Sequence, residues 1–174
     1  YTANDKRMGT YITEDYAPGG MLRGYIYKKC SVAGEPGQCL RLSEAYLNRA
    51  EAYAQMPDKR VEALSDLNEL RKKRIEGYED VNITDPVALL DTIRKERRLE
   101  LCFEGHRWFD LRRYGMPEIK HVYQESETAP KMVYTLKEKD RMYTLPIPPS
   151  VMEKNSQLVQ NASDSEPLRQ GVVE

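Results

Sequence analysis

Glu100 and Glu104 are the one carboxylate pair that helical spacing sets together on a single face. Two acids held side by side are the equipment for cleaving a glycosidic bond. For that chemistry one acid must keep a proton, and both must line a cleft. Arg97 and Arg107 each stand one helical step away, and a neighbouring guanidinium holds a carboxylate ionised. The spacing therefore favours structural ion pairs, Glu100 with Arg97 and Glu104 with Arg107, over an acid and a base.

Other catalytic equipment is missing from the sequence. His106 and His121 are the only histidines, and neither stands in an HExxH pattern or at ligand spacing from a cysteine, so no metal site is expected. No GxSxG, Walker loop or GxGxxG occurs, which leaves nucleophilic hydrolysis and nucleotide chemistry without a candidate, and no cofactor is expected. RKKR (71–74) and RKERR (94–98) are basic, yet acidic residues interleave with both regions and no aromatic stacking platform accompanies them. Nucleic acid is therefore not an expected partner.

Aromatic rings are the remaining binding equipment, since they stack on sugars and anchor interfaces at low entropic cost. Five of the twelve tyrosines fall within residues 1–40. Tyr11, Tyr16, Tyr25 and Tyr27 lie in a loop-rich region and are the better ligand candidates. Tyr46 and Tyr53 sit on a helical apolar stripe and are expected in the core.

The chain has 174 residues, with 27 basic against 28 acidic side chains and a net charge of -1. One ordinary domain with a packed core fits this length and composition, and no global field exists to collect polyanions. No apolar run approaches the roughly 20 residues of a membrane-spanning helix. The sequence starts at Tyr1 without Met and reads as an excised piece of something longer. Cys30 and Cys39 flank the turn-rich AGEPGQ, which brings two sulfurs within reach of each other. A bridge there would contribute roughly 2 to 3 kcal/mol, and two free thiols fit the sequence equally well.

The elements that must position these residues are mostly helical. Leu42, Tyr46, Ala50 and Tyr53 recur at helical steps, predicting a helix from about Leu42 to Gln55. Pro57 and Asp58 interrupt it, and KRVEALSDLNELRKKR (59–74) predicts a second, with Gly77 as its stop. The two form a hairpin of about 34 residues, the size of one tetratricopeptide unit, in which Ala45, Ala50, Ala52 and Ala54 allow close approach. Thr84 or Asp85 before Pro86 opens a third helix toward Leu111, within which Gly105 marks either a backbone contact or a break. MVYTL (132–136) and RMYTL (141–145) predict a short β-hairpin, Tyr25-Ile26-Tyr27 a short strand, and Ser150 a short helix.

Several blocks in one order resemble the C-terminal domain of the SusD/RagB family, surface glycan-binding lipoproteins of the Bacteroidetes type. Asp5-Lys6-Arg7 resembles its opening D-x-R, RLSEAYLNRAEAYA (41–54) its first helix, and EALSDLNELRKKR (62–74) its second. IRKERRLELCFEGHRWFDLRRYG (93–115) is the most specific block, and LPIPPSVMEKNSQLVQN (145–161) resembles the closing segment. One departure is that Gln160-Asn161 is followed by Ala162-Ser163 where the family usually has Pro-Gly and an aromatic.

The resemblance implies a mainly α fold in which a tetratricopeptide-like hairpin and further helices scaffold irregular loops. It implies that residues 1–174 are a C-terminal domain whose N-terminal part, with the lipidated cysteine, is absent. It further implies no enzymatic activity, capture of an oligosaccharide or other nutrient at the outer-membrane surface, and a TonB-dependent SusC-like transporter as partner. Arg97, Glu100, Glu104, Gly105, Arg107, Trp108 and Asp110 fall in its motif as framework residues. The alternative is a tetratricopeptide-like scaffold that docks protein and has no small-molecule site.

Overall fold

The computed structural model describes residues 1–29, 41–165 and 170–174. Cys30 and Cys39 lie outside the described residues, so the expected bridge is not addressed, and Cys102 is a free thiol. Two compact units divide the chain, Tyr1–Arg107 and Trp108–Glu174.

The first unit is built on three helices: α2 (Leu42–Ala54), α3 (Arg60–Lys72) and α4 (Pro86–Glu100). Their inner faces close one core of Leu47, Ala50, Ala54, Ala63, Leu67, Leu70, Leu89 and Ile93, as the three- and four-residue spacing predicts. Each large aliphatic side chain buried there contributes about 2 kcal/mol. Ala50, Ala54 and Ala63 form the close seam of the α2–α3 hairpin, whereas Ala45 and Ala52 face outward. Tyr46 and Tyr53 are half-buried at the margin of the core, short of the interior position expected of them. Arg49 fastens the hairpin with two bonds of 2.8 and 2.7 Å to Asp66.

Helix α4 begins as its sequence predicts, with Pro86 in the first turn and the Asp85 side chain accepting from the Ala88 amide at 2.7 Å. It ends at Glu100, not at Leu111. Phe103 (φ 64°) and Gly105 (φ 80°) take left-handed conformations, and α5 (His106–Arg113) starts anew. Gly105 is thus the break, and a Cβ on it would meet no atom within 4 Å, so no backbone approach is involved.

Before the helices come α1 (Lys6–Tyr11), which the sequence did not announce, and an antiparallel ribbon of β1 (Ile12–Tyr16) and β2 (Leu22–Tyr27). Asp5 caps α1 by accepting from the Arg7 amide at 3.0 Å.

In the second unit, β3 (Ile119–Tyr123), β4 (Met132–Leu136) and β5 (Val172–Val173) form an antiparallel sheet in that order. MVYTL is a strand as expected, but its partner is IKHVY and not RMYTL. RMYTL is instead a 3-10 turn, because Lys139 bends the chain (φ 53°) and Asp140 caps the amide of Met142 at 2.9 Å. Trp108 stacks on the Tyr143 ring at 5.0 Å. The Gln160 amide brackets Ile147, accepting from its N–H at 2.7 Å and donating to its carbonyl at 2.9 Å, while Asn161 holds the Leu145 carbonyl at 2.8 Å. This double bracket ties the extended proline segment, which has few backbone donors, to the chain that follows the short helix α6 (Pro149–Met152).

Candidate functional site

The β1–β2 ribbon carries the exposed aromatic surface of the first unit. Residues in register share a face, and the pairs are Ile12 with Tyr27, Glu14 with Tyr25, and Tyr16 with Leu22. Because Ile12, Glu14 and Tyr16 alternate along β1, all six side chains emerge on one side. A β-bulge at Asp15/Tyr16 leaves Arg23 without a register partner and brings Leu22 opposite Tyr16, while Arg23, exposed, keeps the alternation of Tyr25 and Tyr27. Tyr16, Tyr25 and Tyr27 are each more than half exposed. The Tyr16 hydroxyl donates to the Glu14 carboxylate, which pushes the Tyr16 pKa up.

Phe103 extends the surface. Its ring stacks on Tyr27 at 4.9 Å with 18° between the planes, and it too is exposed. The left-handed backbone at Phe103 costs a non-glycine residue about 1 kcal/mol or more, so its neighbours must hold it there.

Those neighbours are an ionic cluster beneath the ribbon. Lys29, two residues past Tyr27, is buried and donates to the carbonyls of Glu100 at 2.6 Å and Cys102 at 3.2 Å, and it pairs with the Glu104 carboxylate. Arg41 reaches the same Glu100 carbonyl at 2.8 Å and both oxygens of Glu104 at 3.2 and 2.8 Å. Two cations thereby satisfy the otherwise orphaned carbonyls at the negative end of α4. The turn that carries Phe103 is pinned on both sides as a result.

Glu100 is the centre of the cluster and is fully buried. Arg74 holds it in a two-bond fork at 2.9 and 2.8 Å, with Arg41 at 3.1 Å and Arg7 at 3.2 Å. Burial pushes the Glu100 carboxyl up, but the Arg74 hydrogen bond and the charges of Arg74 and Arg41 more than reverse this and hold it at about 2. Arg7, buried in turn, forks onto Asp5 at 2.9 and 2.7 Å and meets Glu96 at 2.7 Å. A carboxylate so held stays ionised at neutral pH and does not supply a proton.

Arg97 is buried, binds Asn48 at 2.8 Å and faces Glu44 at 3.6 Å, so it serves the α2–α4 contact. Lys29 and Arg41 both pair with Glu104, and Arg107 is exposed. Asp110 is buried with Arg113 donating at 3.0 Å, and Trp108 is half-buried against Tyr143. Among the tyrosines, Tyr11 is a correction: it is buried, with Lys29 lying 4.0 Å over its ring, so it supports the ribbon and cannot offer a stacking face. Tyr16, Tyr25 and Tyr27 are brought together. Glu14, Phe103, Lys29, Arg7, Arg41 and Arg74 escaped sequence reasoning; only the alternation in ITEDY and LRGYIY pointed toward Glu14. Among the described residues, no group of three or more His, Cys, Asp or Glu could hold a metal ion, and no helix is long and apolar enough to cross a membrane.

The SusD family profile matches residues 22–163. The chain is 28% identical over 164 residues to SusD-like protein P2 of Formosa agariphila, spanning 85% of this chain and 32% of that protein. It is 38% identical over 77 residues to SusD-like protein P38 of the same organism, spanning 41% of this chain and 15% of that one. A SusD-like protein from Bacteroides fragilis superposes with a TM-score of 0.51 at 33% identity, over 71% of this chain and 25% of that chain. A SusD-like carbohydrate binding protein from Bacteroides vulgatus shares the fold with a TM-score of 0.60 at 22% identity, over 97% of this chain and 40% of its own. The chain thus spans about a third of the length of its relative P2.

Proposed function

The chain belongs to the SusD family, and from that premise we propose that it captures carbohydrate, without catalysis, through the aromatic face of the β1–β2 ribbon. The observation that carries this reading is the exposed run of Tyr16, Tyr25 and Tyr27 continued by Phe103. Sugar rings present apolar C–H faces that lie flat on such rings, and their hydroxyls take hydrogen bonds from the rim. A SusD-like structural neighbour is described as carbohydrate binding, which supports the ligand class. The burial of the Glu100 and Glu104 side chains among cations, and the depressed pKa of Glu100, support a framework role over a hydrolytic one.

In this reading the chain is the C-terminal domain of a longer, lipid-anchored protein at the outer-membrane surface, which passes its ligand to a SusC-like TonB-dependent transporter. Its share of the length of its relatives supports the first part. Calorimetric titration with neutral and acidic oligosaccharides, on the protein and on its Tyr25→Ala/Tyr27→Ala variant, tests the site. Binding that the double substitution abolishes is the expected result.

A protein-docking scaffold is the second reading. One feature favours it: a cleft of about 240 Å³ between α2 and α3, lined by Leu42, Tyr46 and Leu70 among others. No oligosaccharide binding by the protein, with partner capture lost on Leu42→Asp, would favour it over the first.

A further inference from the structure

We propose that Glu14 and Arg23 flank Tyr25 as an acceptor and a donor for sugar hydroxyls, so that the ribbon face reads hydroxyl configuration at Tyr25 and only holds the ligand at Tyr27. This deepens the carbohydrate-capture reading and rests on it. Glu14 stands opposite Tyr25 in the register, and Arg23 lies two positions before Tyr25 on β2 with the same alternation. Their Cβ atoms are thus about 5 and 7 Å from that of Tyr25, and both side chains reach the edge of a sugar ring lying on it. The Tyr16 hydroxyl donates to Oε2 of Glu14, which fixes the carboxylate and leaves Oε1 to accept from the sugar. Arg23 is exposed, has no register partner at the bulge, and makes no ion pair or side-chain hydrogen bond among the described residues. Its guanidinium is available to donate.

The Tyr27 end of the face is built differently. Its partner across the ribbon is Ile12, and the Phe103 ring stacks on it at 4.9 Å, so its neighbours are apolar. The bond from Tyr16 draws the Glu14 carboxylate toward the bulge, away from Ile12 and Tyr27. Lys29 is buried and committed to the carbonyls of Glu100 and Cys102 and to Glu104, and Lys28 takes the opposite side of the strand. The Tyr27 hydroxyl both donates and accepts and turns to suit, so it discriminates little between hydroxyl orientations. At Tyr25, a hydroxyl in the plane of the sugar ring meets a charged partner at its edge. An epimer with that hydroxyl turned out of the plane forfeits a charge-assisted bond, which is stronger than one between neutral groups. Affinity thus comes from both ends of the face and discrimination from one.

The test is calorimetric titration with hexasaccharides of glucose, mannose and galactose, in one series linked through C3 and in another through C6, each series of one anomeric form. Within a series the mannose and galactose members differ from the glucose member only in the orientation of the C2 or the C4 hydroxyl. At least one epimer should bind about five- to tenfold more weakly than the tightest member of its series, the size of one exposed charge-assisted hydrogen bond. Glu14→Ala/Arg23→Ala should bring the members within about twofold of one another, with a thermal midpoint close to native because both side chains are exposed. Phe103→Ala should weaken every member by a similar factor and keep the gap. Equal binding of all members, a gap unchanged in Glu14→Ala/Arg23→Ala, or a gap lost equally on Phe103→Ala overturns the selection. If Tyr25→Ala/Tyr27→Ala still abolishes binding in that case, capture by the ribbon stands without it. Oligosaccharide binding that survives the tyrosine substitutions overturns both, and so does the failure of every member to bind.

Discussion

Arg74 grips both oxygens of Glu100, Nε at 2.9 Å from Oε2 and Nη2 at 2.8 Å from Oε1, across 26 positions of sequence. The carboxylate is fully buried and takes two further guanidinium contacts, from Arg41 and Arg7. Replacing it by a neutral amide leaves three cations around a site built for an anion. Glu100→Gln is therefore expected to destabilise the first unit by about 3 to 5 kcal/mol, read as a fall in the urea midpoint. The exposed pair Lys59–Glu62 serves as the control, where Lys59→Ala should cost less than about 1 kcal/mol. Equal shifts for the two variants would remove the cluster as a source of stability.

The same carboxylate sets an acid limit. Its pKa is held at about 2 in the folded chain against 4.5 ordinarily, with burial opposing and Arg74 and Arg41 favouring the charge. A depressed acid contributes stability above its unfolded pKa and loses it as pH falls through the folded value. The contribution of Glu100, about 3 kcal/mol, should be intact above pH 5 and fade between about pH 4.5 and 2. Urea midpoints across that range should fall more steeply for the native chain than for Glu100→Gln. Parallel curves would show that another group controls acid unfolding.

Lys29 joins the ribbon to the end of α4 through the carbonyls of Glu100 and Cys102 and the carboxylate of Glu104. Lys29→Met keeps an unbranched side chain but removes the donors and the ammonium over the Tyr11 ring, leaving the Arg41 contact on Glu104 in place. Destabilisation of about 2 to 3 kcal/mol is expected. Hydrogen exchange should rise at the amides of β2 and of Leu101 and Glu104, and remain unchanged in the α2–α3 seam. A uniform rise across all helices would mean that Lys29 does not act locally.

The helices were legible because burial imposes a period, and Leu67, Leu70 and Ile93 occupy the positions that period marks, but in α2 the buried face runs through Leu47, Ala50 and Ala54 while Leu42, on the expected stripe, is 74% exposed. The ion pairs were not. Helical spacing offers only neighbours such as Arg97 and Arg107, and it could not announce that Glu100 meets Arg7, 93 positions away, Arg41, 59 away, and Arg74. Only tertiary folding brings those together, and a long side chain can be drawn from any element. Strand pairing failed for a related reason. RMYTL looks like MVYTL, but a cap at Asp140 and the prolines after Leu145 decide its backbone, while IKHVY carries little apolar signal because most of it is exposed. Of the ribbon only the short strand at Tyr25-Ile26-Tyr27 was legible, not its partner or its bulge, and the contribution of Phe103 depends on a left-handed turn that no residue type announces.

That turn supplies the most direct check on how the aromatic face is assembled. Phe103 sits at φ 64° with its ring on Tyr27, so two effects oppose each other there: backbone strain against stacking. Phe103→Ala removes the ring and keeps the strain, whereas Phe103→Gly removes both. Glycine is the poorer residue elsewhere because its unfolded chain is more flexible, yet a left-handed position reverses the order. Phe103→Gly is expected to be more stable than Phe103→Ala by about 1 kcal/mol, with the gap visible in urea midpoints. A double-mutant cycle of Phe103→Gly with Tyr27→Ala should return a coupling of about 0.5 to 1.5 kcal/mol for the stacked pair. If Phe103→Ala proved the more stable of the two, the backbone at 103 would not be left-handed, and the ring could not continue the ribbon surface.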